Sequence, residues 1–222
     1  MLDMSALSTS FSAGDLWFMV QGAATTLAVT FWAVVGGTAL GLLFGLARAS
    51  SPWWCDAAIG FALDVFRSVP LLIQLVLANS LKPIVGLHGS SFTTACVVLA
   101  LYAAAYCTEI VRAGVAAVPA TTRRAARSLG LNWRQDLTAI VFPIALRVVL
   151  PSWIGLTLGV MKDSALILWI GVIELLRSSQ IIVSRIQEPL LVLSVSGLIY
   201  FLISFPIARF GARFESRWRD RD

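Results

Sequence analysis

Residues Pro119–Pro143 read PATTRRAARSLGLNWRQDLTAIVFP, the longest polar and basic interruption in an otherwise apolar chain. The order of residue types specifies a short helix, a glycine turn and the entry to a new apolar helix. Pro119 has a fixed φ that suits a first helical turn. Thr121 or Thr122 can accept the orphan backbone N–H bonds of a helix start. Ala125, Ala126 and Leu129 fall close together on one helical face, with Arg123, Arg124 and Arg127 supplying charge around it. Gly130 can take the left-handed conformation that ends such a helix. Asn132 can cap the next one, and apolar character resumes at Leu137.

Outside this stretch the composition is that of a membrane protein. The 222 residues are 58% hydrophobic and 13% charged, with a mean hydropathy of +0.84; a soluble domain carries about 25% charged residues. Apolar runs near or above the roughly 20-residue spanning length define an all-α polytopic chain with about five transmembrane helices. They are Leu16–Ala47, Ile59–Asn79, Phe92–Val118, Leu137–Val160 and Leu190–Phe210. One transmembrane domain, residues 16–212, thus lies between an N-terminal segment, 1–15, and a basic tail, 213–222. Asp3 and Asp15 without any basic residue put the N-terminal segment on the outer side. Arg209, Arg213, Arg217, Arg219 and Arg221 put the tail in the cytoplasm, because basic residues near span ends set orientation. Five spans satisfy the odd number that these two signals require.

Within the spans, the recurrence of Gly37, Gly41 and Gly45 lets another helix approach closely, and Gly155 and Gly159 repeat that spacing. Asp64 and Arg67 form one acid-x-x-arginine pair, Glu109 and Arg112 a second, and both read as structural ion pairs. Pro70 removes a backbone hydrogen bond and kinks the second span; the carbonyls it frees, together with Gln74, are candidates for a transport path. Lys162–Glu188, KDSALILWIGVIELLRSSQIIVSRIQE, repeats the pair as Glu174 and Arg177, with Asp163 or Ser164 as a candidate helix cap. It reads either as a broken, partly re-entrant segment or as an amphipathic interfacial helix. Cys55, Cys96 and Cys107 stand singly and read as small buried residues. Without a Cys/His pattern no metal site is expected. His88, the single histidine, reads as solvated. No phosphate-binding G-x-x-x-x-G-K-[ST] loop and no nucleophile–base motif is present, so the chain is expected to have no catalytic residues and to bind no cofactor.

The Pro119–Pro143 stretch resembles the cytoplasmic EAA loop of ABC-importer permeases: Glu-Ala-Ala, three residues, Gly, nine residues, Ile-x-Leu-Pro. Here the counterparts are Arg124-Ala125-Ala126, Gly130 and Ile140-Val141-Phe142-Pro143. Arg124 replaces the usual glutamate and Phe142 the usual leucine. FRSVPLLIQL (Phe66–Leu75), AYCTEIVRAG (Ala105–Gly114) and KDSAL…IGVIELL are similar to phrases of polar amino-acid permeases. The resemblance implies the type I ABC-importer permease fold in a bacterial inner membrane. It implies a second permease copy, ATP-binding subunits that use ATP and Mg, and a periplasmic or lipid-anchored solute-binding protein. It further implies that residues 119–136 form a coupling loop docking through Thr122, Arg124, Ala125, Ala126, Leu129 and Gly130, so that a bulky residue at Ala126 uncouples ATP hydrolysis from uptake. Residues 162–188, with Lys162, Asp163, Ser164 and Glu174, would form an outer gate. The alternative class is an ion-coupled secondary transporter or channel subunit without ATPase partners; no inverted repeat and few mid-span charges support it.

Overall fold

A computed structural model describes residues 10–219, and among these every regular element is helical. Residues 1–9 and 220–222, Arg221 among them, lie outside the described residues.

Helix α1 (Ala13–Ser50) opens with a capping box. The Asp15 amide donates to Ser12 Oγ at 3.3 Å, and the Ser12 amide donates to Asp15 Oδ2 at 2.8 Å. Asp15 therefore belongs to the first helical turn. At 1.5 Å per residue α1 is about 57 Å long, well beyond a hydrocarbon core of about 30 Å. Helix α4 (Ser91–Ala116) packs along it. The glycine row makes that approach possible: a Cβ at Gly41 would lie 2.5 Å from Cys107 Cβ, and one at Gly37 would lie 2.6 Å from Ala103 Cβ.

The second span departs from the sequence expectation. It is not one kinked helix but two, α2 (Trp53–Ser68) and α3 (Leu71–Ile84), meeting at 97°. Pro70 has no amide to continue the ladder, and the residue before it is held out of the α region; Val69 is extended and Pro70 caps α3. Counting this pair as one, the structure has up to five apolar spans.

Helix α5 (Ala120–Ser128) follows α4, and a single turn, α6 (Trp133–Gln135), leads into a π-helical stretch, Asp136–Val141, before α7 (Phe142–Asp163). Helix α7 tightens into a 3₁₀ turn, Ser164–Ile170, and Gly171, at φ 83°, stops it. Helices α8 (Leu175–Ile186) and α9 (Pro189–Arg219) complete the chain. Helix α4 also packs on α7, α7 on α9, and α8 on both α1 and α9. Large apolar side chains such as Phe31, Trp32, Leu43 and Phe201 are exposed around the bundle, as expected where lipid, not water, solvates the surface. Cys107 is buried, but Cys55 and Cys96 are only half-buried. Gly155 and Gly159 meet nothing within 4 Å, so their spacing serves no contact within the described residues.

Candidate functional site

The turn between α5 and α6 is built as its residue types require. Gly130 sits at φ 84°. Its amide donates to the Arg127 carbonyl at 3.0 Å and the Leu131 amide to the Ala126 carbonyl at 3.2 Å, the paired bonds of a Schellman motif. Asn132 caps α6 reciprocally with Gln135, at 3.0 and 2.9 Å. The start of α5 differs from expectation. Pro119 occupies the cap position without a side-chain bond, and Thr121 and Thr122 are exposed.

The expected alanine face divides in two. Ala126 is 5% exposed and turns into the chain, where α5 packs on the π-helical stretch. Leu129 is 82% exposed, and Thr122, Arg124, Ala125 and Gly130 are exposed with it. Arg123 also turns inward: its Nε and Nη2 both donate to Asp136 Oδ2, at 3.0 and 2.9 Å. The outward surface is thus a basic helix carrying one large apolar side chain at its end. A bulky residue at Ala126 would strain the chain's own packing before it reached any partner.

Both expected ion pairs form, but as parts of one cluster. Arg67 pairs with Asp64, and Arg112 lies 2.9 Å from Glu109. Arg48, near the end of α1, joins them: it pairs with Glu109 and, at 2.6 Å, with Asp56. Arg67 stands 3.8 Å from Glu109. The cluster ties the end of α1 to α2 and α4. A further tie, Arg185 on α8 to Asp15 on α1, was also not anticipated.

Gln74 lies on the corner between α2 and α3. Its side-chain amide donates to the Phe66 carbonyl at 2.7 Å and the Val69 carbonyl at 2.8 Å. It satisfies carbonyls that Pro70 leaves without helical partners. In the 162–188 segment, Lys162 is exposed and Ser164 is buried, its hydroxyl donating to the Met161 carbonyl at 2.7 Å. Neither Asp163 nor Ser164 caps a helix, because α7 runs through them into the 3₁₀ turn. Glu174 does cap one. Fully buried, it accepts from the Leu176 and Arg177 amides, each at 2.7 Å, and from Tyr200 Oη at 3.2 Å. Its partner is the α8 backbone, not the Arg177 guanidinium. Burial pushes its carboxyl above the usual range, against the downward pull of these donors. Among the described residues no group of side chains could hold a metal ion.

An all-helical bundle with up to five apolar spans, a corner at Pro70, a broken segment after α7 and an outward-facing basic helix is the architecture of a polytopic membrane protein. The chain belongs to the family of binding-protein-dependent transport system inner membrane components, whose model matches residues 37–220. It is 31% identical to a probable amino-acid ABC transporter permease, YckA, of Bacillus subtilis, over 90% of this chain and 89% of that one. It is 29% identical to the glutamine transport system permease GlnP of Escherichia coli, over 90% and 93%. A crystal structure of an amino acid ABC transporter with histidines superposes with a TM-score of 0.84 at 28% identity, covering 98% of this chain and 99% of that one. The methionine ABC transporter MetNI, at 22% identity and a TM-score of 0.75 over 92% of this chain and 99% of that one, shares the fold. The chain is therefore a membrane-embedded permease subunit of an ABC importer, of the kind that works with ATP-binding subunits and substrate-binding proteins, and the secondary-transporter reading is set aside.

Proposed function

We propose that this subunit forms the path for an amino acid or a related small polar solute across a bacterial inner membrane, with its N-terminus outside and its C-terminus in the cytoplasm. It works beside a second permease copy, identical or paralogous. ATP and Mg are used by the partner subunits; this chain contributes no catalytic residue. The relatives named above support the solute class.

The outward surface of α5 is the docking face for the ATP-binding subunit, and the observation that carries this is Leu129. A large apolar side chain 82% exposed, on a helix with five arginine-, serine- or threonine-bearing exposed positions around it, is left uncovered by the described residues. Small neighbours such as Ala125 let a partner backbone come close. Closure of the ATP-binding subunits moves α5, and the spans rock about the Pro70 corner and α7. The 162–188 segment closes the outer mouth, and substrate arrives there from the solute-binding protein.

Leu129→Asp tests the docking face directly. Co-purification in mild detergent should lose the ATP-binding subunit while the permease fold is kept, since Leu129 contributes little to the chain's own core. Wild-type recovery of that subunit would overturn the assignment.

A further inference from the structure

An ion pair between Arg123, whose side chain is 30% exposed, and the buried Asp136 links the loop that carries Leu129 to the membrane helices, and it ends on an irregular stretch of helix. Asp136 is 2% exposed and opens the π-helical stretch Asp136–Val141. Both donors that reach it come from Arg123 on α5, at 3.0 and 2.9 Å, and both reach the same oxygen, Oδ2. The other oxygen, Oδ1, is buried without a hydrogen-bond partner among the described residues. The carboxylate thus depends on one guanidinium for its compensation, and a buried charge left alone is strongly unfavourable. The two nitrogens of a planar guanidinium also fix direction, which a single contact does not. Beside the pair, Ala126 packs inward while Leu129 points the other way. The Phe142 amide bonds back to the Leu137 carbonyl, five residues earlier. A π turn within a helix recurs at functional positions.

We infer that Arg123 and Asp136 are positioning residues that make α5 and the start of α7 one mechanical body. A displacement of α5 at its Leu129 face passes through the guanidinium–carboxylate pair into the π stretch and turns α7. The inference rests on the docking role of α5 and adds to it the route by which motion enters the spans.

The test uses the assembled transporter with its ATP-binding subunits, in nanodiscs. Spin labels are placed on cysteines at Ser128 (α5) and Ser152 (α7), in a chain whose Cys55, Cys96 and Cys107 are replaced. Pulsed electron paramagnetic resonance then reads the distance between them with and without ATP and vanadate. Wild type should give one narrow distribution that ATP does not shift. Asp136→Asn and Arg123→Lys should give a distribution that broadens and shifts with ATP. The apolar double variant Arg123→Met/Asp136→Leu should recover wild-type melting temperature, because well-packed apolar groups can replace a buried ion pair, yet keep the shifted distribution. A role confined to stability predicts that the double variant recovers both. A wild-type distance that itself changes with ATP overturns the inference, as does an assembled variant indistinguishable from wild type. If Leu129→Asp still recovers the ATP-binding subunit, the docking role fails; if it loses that subunit and the label distances ignore the pair, only the strut fails.

Discussion

Gly41 shows what a single side chain can decide here. A Cβ at that position would lie 2.5 Å from Cys107 Cβ, inside any real contact distance. Gly41→Val should therefore destabilise the chain by about 2–3 kcal/mol or prevent its accumulation, read as melting of the detergent-solubilised protein. This was legible, since the spacing of small residues announces close helix approach. Ala126 was legible only in part: the face of α5 could be drawn from the sequence, but which side turned inward depended on where the π-helical stretch lay. Ala126→Trp should lower the melting temperature of the isolated permease, and that loss should appear without any ATP-binding subunit present. Glu174 was read by its spacing to Arg177, whereas its oxygens are taken by backbone amides and Tyr200. Glu174→Ala should cost about 1–2 kcal/mol as a lost helix cap. Its carboxyl titrates higher in the fold than in the unfolded chain. The folded state therefore holds the proton more tightly, and stability should be greatest below the ordinary carboxyl value, near pH 4, and fall as pH rises through the folded value. Melting of Glu174→Gln across the same range should lack this slope.

At the scale of elements, Pro70 announced a break but not its size. The 97° angle depends on Gln74, four residues on, turning back to satisfy the Phe66 and Val69 carbonyls. Gln74→Leu removes that donor and should destabilise the corner by about 1–3 kcal/mol. Hydrogen–deuterium exchange should show faster labelling confined to the end of α2 and start of α3; unchanged exchange there would mean the proline alone holds the angle. The π-helical stretch left no trace in the sequence, because its six residues are too few for the wider i→i+5 spacing to shift the apolar period. The 3₁₀ turn after α7 was anticipated as a broken segment, yet its caps were misassigned: Asp163 and Ser164 are good cap residues but sit where the helix continues. The exposed large apolar side chains between α7 and α8 are Trp169 and Ile173. Cysteines there should change their maleimide labelling when ATP is added to the assembled importer, and constant labelling would argue for a passive interfacial segment.

For the whole molecule, the order of spans and their rough limits followed from hydropathy, and the loop around Gly130 from local turn chemistry. The contacts that join distant elements did not. Arg48 could be seen as a flanking cation, but its reach to Asp56 and Glu109 requires α2 to fold back along the end of α1 and α4. Arg123 and Asp136 stand thirteen residues apart, a spacing no helical rule connects. The orientation proposed from the arginine-rich tail should be checked by fusing a reporter that fluoresces only in the cytoplasm to the C-terminus; a dark fusion of normal abundance would reverse it. The cluster around Arg48 has a further consequence, of an electrical kind. It contains Arg48, Arg67 and Arg112 against Asp56, Asp64 and Glu109, so its formal charges cancel. A membrane potential does work of about 2.3 kcal/mol per elementary charge per 100 mV, and on a neutral group that moves as a unit it does none. The cluster can therefore shift with each transport cycle without itself adding a gating charge.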